Sequence, residues 1–461
     1  MIRGLLAVFV VGALCRVCPG NVVLEEDGAG AFHINTSDPH QQPVFVNGMD
    51  VQQMYTRLQE QQKLIEVQQD MLGAQNLAIQ TLGNTLHVFR SASCPASARS
   101  TISAGSGDYK WNGGVLAPNG HIYAIPAAAT AILIIDPNSN TADRTSITHS
   151  GISGGRKWHG TALGGNGFIH GIPYDSRSVL IINPNTKTID TTTISGISGY
   201  QKWHGAVAAK NGFVVGIPRD YYKALIIDPI TNRATRHSIS GLPAGDVGVG
   251  GSYNSALRLD NNLIYGIPRS APAVLIIDPS TNTVDTTSIA GISGGTWEGA
   301  AQAGNGLIFS VPYSSKSVLI IDPKLRTADT TTITGISGGR KWHGTAPGGN
   351  GFIHGIPYDS RSVLIINPNT KTIDTTTISG ISGYQKWHGA VAAKNGFVVG
   401  IPRDYYKALI IDPITNRATR HSISGLPAGD ARWYGGVLAD NGLIYGIPYR
   451  VGTCLVMDPG C

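Results

Sequence analysis

The segment from Lys157 to Gly196 reads KWHGTALGGNGFIHGIPYDSRSVLIINPNTKTIDTTTISG, and it returns from Lys341 onward with one change, Leu163 to Pro347. Its second residue is an aromatic residue that marks a repeat along the chain. Asn-Gly or Asn-Asn follows eight residues after each aromatic residue, Ile-Pro or Val-Pro fourteen after, and Asp-Pro or Asn-Pro twenty-five after. The eight repeat aromatic residues are Trp111, Trp158, Trp203, Tyr253, Trp297, Trp342, Trp387 and Trp433.

Each repeat predicts four short β-strands. In the second repeat they cover residues 160–163, 168–172, 178–182 and 188–194. Asn-Gly favours a hairpin because both residues tolerate positive φ, and Asp-Pro favours the next turn. The run SVLIINP is apolar on consecutive residues, which is typical of a strand covered on both faces. Successive aromatic residues are 44 to 50 residues apart, the period of β-propeller blades.

The two ends of the chain predict how the ring closes. The last repeat stops at Cys461 without a fourth strand, whereas residues 101–111 align without a gap on residues 193–203, which contain a fourth strand. We therefore predict an all-β, eight-bladed propeller over residues 94–461, closed by pairing of the chain ends. Cys94 and Cys461 would form a disulfide there, with unpaired or intermolecular thiols as the alternative. Cys454 takes a strand position held by Val in other repeats, so we expect it to be buried.

Residues 1–20 read MIRGLLAVFVVGALCRVCPG and predict a secretory signal peptide. The alternative is a membrane anchor, which the short apolar run disfavours because a bilayer requires about 20 residues. Residues 21–50 are predicted as a flexible linker, with an N-glycosylation sequon at Asn35. We expect a secreted, extracellular protein without a membrane span.

Residues 51–89 change to a heptad pattern that predicts a coiled-coil oligomerisation helix. A parallel bundle of two to four chains would bury its seam, so a homo-oligomer is expected; the alternative is an amphipathic helix packed on its own domain. The polar residues Gln61, Gln68 and Gln75 interrupt the companion seam. The apolar seam residues are Val51, Leu58, Ile65, Leu72, Ile79 and Leu86.

The stretch NGHIYAIPAAATAILIIDPNSNTADRTSI and its seven companions resemble the YVTN-type propeller repeats of surface-layer and secreted proteins. The resemblance covers Thr101 to Asp458, but the Lys-Trp-His-Gly opening and the Ile-Pro pair depart from it. A coiled coil followed by a propeller also resembles the architecture of olfactomedin-type proteins, without their motifs. Neither resemblance implies a catalytic residue.

Loop variation predicts where a ligand would bind. The segments after Ile-Pro or Val-Pro differ between blades, while the opposite end of the ring is monotonous, and variable loops on a constant scaffold are typical of binding surfaces. Basic residues precede the repeat aromatic residue at the same end, at Lys110, Lys157, Lys202, Lys341, Lys386 and Arg432. Loop residues complete the candidate site, namely Arg177, Arg219, Tyr222, Arg361, Arg403 and Tyr406.

This cationic, aromatic surface would fit an anionic glycan or glycoprotein. Solvated loop tips without a ligand are the alternative. The repeat aromatic residues are expected to pack between blades rather than to stack on sugars. Residues 151–246 match 335–430 with a single difference, so any ligand site on these blades should exist at least twice.

Other function classes are disfavoured. The net charge of +6 is spread along 461 residues, which argues against nucleic acid, and no cofactor is expected. His159, His204, His343 and His388 occupy equivalent positions in separate blades, and we expect them to lie too far apart to share a metal ion. No single divergent His, Asp or Glu cluster stands out, as catalysis would require. We therefore expect a non-enzymatic binding or adhesion protein, with a structural matrix component and a propeller hydrolase or lyase as alternatives.

Overall fold

A computed structural model describes residues 22–26, 32–36, 45–46, 49–148, 152–239, 253–293, 295–424 and 432–460. The predicted signal peptide and Cys461 lie outside the described residues. The chain divides into two compact units, Met1–Leu82 and Gly83–Cys461.

One long α-helix, Val51–Ser93, covers the predicted coiled-coil segment. Asp50 is a residue type that favours a helix N-cap, and Pro95 follows the last helical residues, where proline disfavours further helix. The apolar residues Leu58, Ile65 and Leu72 are 53% to 62% exposed. Within the described residues, no helix is both long and apolar enough to span a bilayer.

Parts of the predicted linker form β-strands. Val22–Glu26 pairs with Phe32–Thr36, and Phe45–Val46 pairs with Met49–Asp50, each antiparallel. These residues of the predicted linker therefore form paired strands, and its flexibility stays a prediction. Asn35 lies in one of these strands, and its glycosylation stays a prediction.

Eight four-stranded antiparallel sheets, the blades, make up the rest of the structure. The first strands are Trp111–Leu116, Trp158–Leu163, Trp203–Ala208, Tyr253–Arg258, Trp297–Gln302, Trp342–Pro347, Trp387–Ala392 and Trp433–Leu438. The second strands are Ile122–Pro126, Ile169–Pro173, Val214–Pro218, Ile264–Pro268, Ile308–Pro312, Ile353–Pro357, Val398–Pro402 and Ile444–Pro448. The third strands are Leu133–Asp136, Leu180–Asn183, Lys223–Asp228, Leu275–Asp278, Leu319–Asp322, Leu364–Asn367, Lys407–Asp412 and Thr453–Asp458. The fourth strands are Thr141–Asp143, Thr188–Asp190, Arg233–Ser238, Thr283–Asp285, Thr327–Asp329, Thr372–Asp374, Arg417–Ser422 and, for blade 8, Ser97–Ser103.

The ring closes as predicted. Each first strand contacts the first strand of the next blade, and that of blade 8 contacts that of blade 1. The N-terminal strand Ser97–Ser103 pairs antiparallel with Thr453–Asp458, with Thr453 opposite Ser103 and Asp458 opposite Ser97. The prediction of an eight-bladed, all-β propeller closed by the chain ends is confirmed.

The closure lies beside Cys94, which is held in a disulfide. A Cβ atom on Gly460 would lie 2.7 Å from the Cys94 carbonyl oxygen, so the residue before Cys461 is adjacent to Cys94. Because Cys461 is outside the described residues, the Cys94–Cys461 pairing stays a prediction. Cys454 is a free, buried thiol, and burial raises its pKa to about 12.

The hydrophobic core is divided into clusters that lie between adjacent blades. In one of them, Trp158 of blade 2 packs with Ile125 and Ile134 of blade 1. Trp158 is 1% exposed, and its indole N–H donates to the Ser178 carbonyl over 2.7 Å. The repeat tryptophans therefore hold neighbouring blades together and present no ring face to a sugar.

Candidate functional site: the central channel

A β-bulge in each first strand turns one side chain into the central channel. In blade 2 the pairing register shifts between Trp158 and Thr161, so His159 and Gly160 form the bulge. Gly160 has φ of 92°, a left-handed conformation that glycine adopts without strain. A Cβ atom there would also collide with the backbone of Gly205 in blade 3. The His-Gly pair thus aims the imidazole inward and allows the blades to approach closely.

The residues directly after the repeat aromatic residues form one ring, which we call the channel ring. They line a cavity of about 300 Å³ together with the glycine or serine that follows each of them. The channel ring consists of Asn112, His159, His204, Asn254, Glu298, His343, His388 and Tyr434.

The histidines of the channel ring are stacked neighbours. The ring centroids of His159 and His204 are 3.9 Å apart, and those of His343 and His388 are 3.8 Å apart. The expectation that these histidines lie far apart is wrong, because the bulges bring them to the axis, where adjacent first strands touch. Within the described part of the chain, no group of three or more His, Cys, Asp or Glu residues is arranged to hold a metal ion.

Tyr434 of blade 8 reaches across the channel. Its hydroxyl lies 3.3 Å from Nε2 of His204, and its ring centroid is 4.2 Å from that of His388 and 5.5 Å from that of His159. One tyrosine therefore contacts both stacked histidine pairs. The two copies of the duplicated sequence meet in a single cavity rather than at two separate sites.

Glu298 is the one carboxylate of the channel ring. It is 3% exposed, and it accepts hydrogen bonds from Asn254 Nδ2 at 2.8 Å and from Arg269 Nε at 2.8 Å. His343 Nε2 lies 2.6 Å from its Oε2. The expectation that no divergent His or Glu cluster exists is therefore wrong, since His343 is paired with a carboxylate and its duplicate, His159, is not.

Burial sets the charge states in the channel. It lowers the pKa of His204 to about 4 and lowers the pKa of His159 and His388 well below 6.5. Burial alone would raise the pKa of Glu298, but His343 and Arg269 outweigh it and hold that pKa below its ordinary value. At neutral pH these three histidines are neutral and Glu298 is ionised.

A second ring surrounds the mouth of the channel, which we call the rim. It comprises the first residue of each variable loop, sixteen residues after the repeat aromatic residue. Seven of its eight members are Tyr or Arg. The rim consists of Ala127, Tyr174, Arg219, Arg269, Tyr313, Tyr358, Arg403 and Tyr449.

Rim side chains pack on the channel ring. The Tyr174 ring lies 5.0 Å from that of His159, and the Arg219 guanidinium lies 5.5 Å from the Tyr174 ring centroid and donates to its hydroxyl. In blades 6 and 7, Arg403 repeats the arrangement with Tyr358. Carboxylates accompany the guanidinium groups, since Asp220 lies 3.9 Å from Arg219. The mouth is therefore aromatic and mixed in charge rather than strongly cationic.

The lysines that precede the repeat aromatic residues are not part of this surface. Lys110, Lys157, Lys202, Lys341 and Lys386 are 0% to 5% exposed. The Lys157 ammonium donates to the carbonyls of Ala127 and Ala129 in blade 1 and of Gly154, at 2.6 to 2.9 Å. Burial lowers the pKa of Lys157, Lys341 and Lys386 to about 8. The prediction that these lysines form an exposed cationic face is wrong, because they hold backbone carbonyls between blades.

The remaining predicted residues divide into two groups. Arg219 and Arg403 belong to the rim, as described above. Arg177 and Arg361 are exposed, Tyr406 is 51% exposed and Tyr222 is half-buried. None of these four lines the channel cavity.

The sequence contained a signal for the channel ring. The residue after each repeat aromatic residue is polar or aromatic in all eight blades, and glutamate occurs there once, at Glu298. What the repeat pattern did not show was the bulge, which decides that this residue points to the axis.

No known protein family and no curated protein matches the sequence. Among solved structures, a streptogramin B lyase is similar, with a TM-score of 0.51 and 11% identity over 79% of this chain and 97% of that chain. A virginiamycin B lyase from Staphylococcus aureus has a TM-score of 0.51 and 10% identity, over 65% of this chain and 94% of that chain. A catalytically inactive histidine variant of that enzyme, solved with quinupristin, has a TM-score of 0.50 and the same identity and coverage. These similarities show the β-propeller fold alone, and they give no support to the narrower YVTN-type or olfactomedin-type resemblance.

Proposed function

We propose that the protein is a secreted, self-associating β-propeller that binds glycans at the mouth of its central channel. The observation that supports this most is the rim, where seven of eight positions are Tyr or Arg around a cavity of about 300 Å³. Tyrosine rings stack on the apolar faces of sugars, and guanidinium groups bind hydroxyl or carboxylate oxygens.

An acidic sugar remains the preferred ligand, although the buried lysines do not contribute. Arg219 and Arg403 are only 24% to 28% exposed and stack on tyrosine rings, so their charge is partly shielded from solvent. Such contacts are worth more than exposed ion pairs, which contribute about 0 to 1 kcal/mol. Salt should therefore weaken binding moderately rather than abolish it.

Secretion and self-association complete the proposal. The apolar run within residues 1–20 supports export. The exposed seam residues Val51, Leu58, Ile65 and Leu72 of helix Val51–Ser93 support pairing of chains. Linking several propellers would raise the avidity for a repeating polysaccharide, without new contacts at each site.

A glycan array followed by titration calorimetry tests the proposal. The double variant Arg219→Ala/Arg403→Ala should lower the affinity for an acidic oligosaccharide about tenfold or more. The control, Arg177→Ala/Arg361→Ala, removes two exposed arginines from loops of the duplicated blades and should change affinity little. Equal losses in both variants would place binding on the outer loops instead, and a lack of saturable binding would favour a structural matrix component.

The Glu298–His343 pair favours a second candidate function, an enzyme that acts at the same mouth. A carboxylate-oriented imidazole is a common proton-transfer group. Chromatography of bound oligosaccharides after long incubation distinguishes the candidates. Unchanged oligosaccharides indicate binding alone, whereas products that disappear in His343→Gln indicate catalysis.

A further inference from the structure

Two clusters of identical sequence face one another in the channel. The first cluster is His159, His204, Tyr174 and Arg219, and the second is His343, His388, Tyr358 and Arg403. Tyr434 contacts a histidine of each. A ligand group that enters the cavity therefore meets both clusters at once.

The surroundings of the two clusters differ. Beside the second cluster, Glu298 lies 2.6 Å from His343, and its negative charge disfavours an anion there. Its charge also acts on His204 of the first cluster, whereas the charges that act on His159 are those of His204, Arg219 and His388. Beside the first cluster, the corresponding residue of the neighbouring blade is Asn112. The two halves of the channel are thus chemically unequal.

Asn112 indicates which chemical group the cavity would bind. It is 2% exposed and lines the cavity, and its Nδ2 has no hydrogen-bond partner among the described residues. A buried donor without an acceptor costs about 1 to 3 kcal/mol. A carboxylate oxygen in the cavity would remove that cost.

We propose that the channel binds one carboxylate group per chain, held by the first cluster and Asn112, and that a channel histidine takes up a proton when it binds. This rests on the glycan-binding function proposed above and adds its chemistry: the ligand is a uronic acid or similar carboxylate-bearing sugar. Arg219 and Asn112 supply donors, and the stacked, neutral histidines supply the site for the proton.

The charges involved decide whether ligand binding raises or lowers proton uptake. An anion favours the protonated imidazole, so the proton affinity of the histidine rises in the complex, and binding must tighten as pH falls. One coupled proton gives up to about tenfold in affinity per pH unit. The other charged or titratable groups that face the two clusters are Arg156, Asp175, Asp220, Arg269, Glu298, Tyr313, Arg340, Asp359, Asp404, Tyr434 and Tyr449.

Titration calorimetry of the full chain with a hyaluronan tetrasaccharide tests the proposal, in buffers of different ionisation enthalpy at about pH 5.5 and about pH 7.5. We expect one tetrasaccharide per chain, uptake of up to about one proton, and at least about tenfold tighter binding at the lower pH. The carboxyl-reduced tetrasaccharide, which keeps the sugar rings and lacks the charge, should bind without proton uptake. Carboxylate-dependent binding with no proton uptake, or with two ligands per chain, would overturn the inference and leave the proposed function standing. Failure of both tetrasaccharides to bind would overturn the two together.

The duplicated sequence supplies a matched control. His159→Gln and His343→Gln are the same change in identical local sequence. His159→Gln should abolish proton uptake and weaken binding about tenfold, whereas the complex of His343→Gln should still take up a proton. Asn112→Ala should weaken binding similarly. It should not lower the stability of the fold, because it removes an unpaired donor, and a urea titration measures that stability. Equal effects of the two histidine variants would refute the asymmetric site.

Discussion

Replacing two fully buried histidines should make the propeller resistant to acid. His170 and His354 lie in the second strands of blades 2 and 6 and are 0% exposed. The chain itself supplies the replacement, because Val215 and Val399 hold the same position in blades 3 and 7. We predict that His170→Val/His354→Val unfolds at lower pH than the unmodified protein does.

The expected magnitude follows from the pKa values. Burial lowers the pKa of both histidines from 6.5 to about 4. Between these pH values the unfolded state binds more protons than the folded state, so stability falls as pH falls. When the pH falls from 7 to 5, each histidine therefore lowers the free energy of unfolding by about 2 kcal/mol, and the pair lowers it by about 4 kcal/mol.

Urea unfolding at both pH values measures this difference. The unmodified protein should lose about 4 kcal/mol more than the double variant between pH 7 and pH 5. His237→Gln is the control, since this histidine lies in the outer strand Arg233–Ser238. If the double variant and the unmodified protein lose the same free energy, burial of these imidazoles does not control acid stability.

Three further predictions concern the lysines, the disulfide and the helix. Lys202→Met should cost about 3 kcal/mol in urea unfolding, because the buried carbonyls of Tyr174 and Gly199 lose their ammonium donor; unchanged stability would contradict that role. Mass spectrometry of a non-reduced digest should find Cys94 linked to Cys461, and a Cys94 peptide linked to any other cysteine would refute the pairing. Ile65→Lys/Leu72→Lys should reduce the mass in light scattering to that of one chain, whereas an unchanged mass would exclude self-association through this helix.

Most of the fold was predictable because its signals are local. Asn-Gly and Asp-Pro turns fix where strands begin and end, and their constant spacing from each repeat aromatic residue fixes the number of blades. Closure was predictable because the N-terminal strand aligns with the fourth strands of other blades. The short strand pairs within residues 21–50 were missed because that segment lies outside the repeat, although it contains Asp27-Gly28 and Asn47-Gly48, two dipeptides that favour hairpin turns.

The candidate site was predicted only in part because burial depends on contacts between blades. Arg219 and Arg403 could be identified from loop variation. Lys157 could not be placed correctly, since sequence shows its charge but not the carbonyls of the preceding blade that receive it. Likewise, His159 points to the axis because of a bulge that is visible only once the strands are paired.

Duplication of blades does not by itself duplicate a site. Blades 2 and 3 repeat as blades 6 and 7, and on an open surface such copies would bind two ligands independently. In this ring the duplicated histidines lie around one axis, and residues of the unduplicated blades give the two histidine pairs different neighbours. Glu298 pairs with His343, Asn112 lies in the strand beside His159, and Tyr434 contacts both pairs. Three residues outside the duplicated segment therefore give the two identical sequences different chemical surroundings. For this reason we expect function in this protein to depend on the channel ring rather than on the repeat.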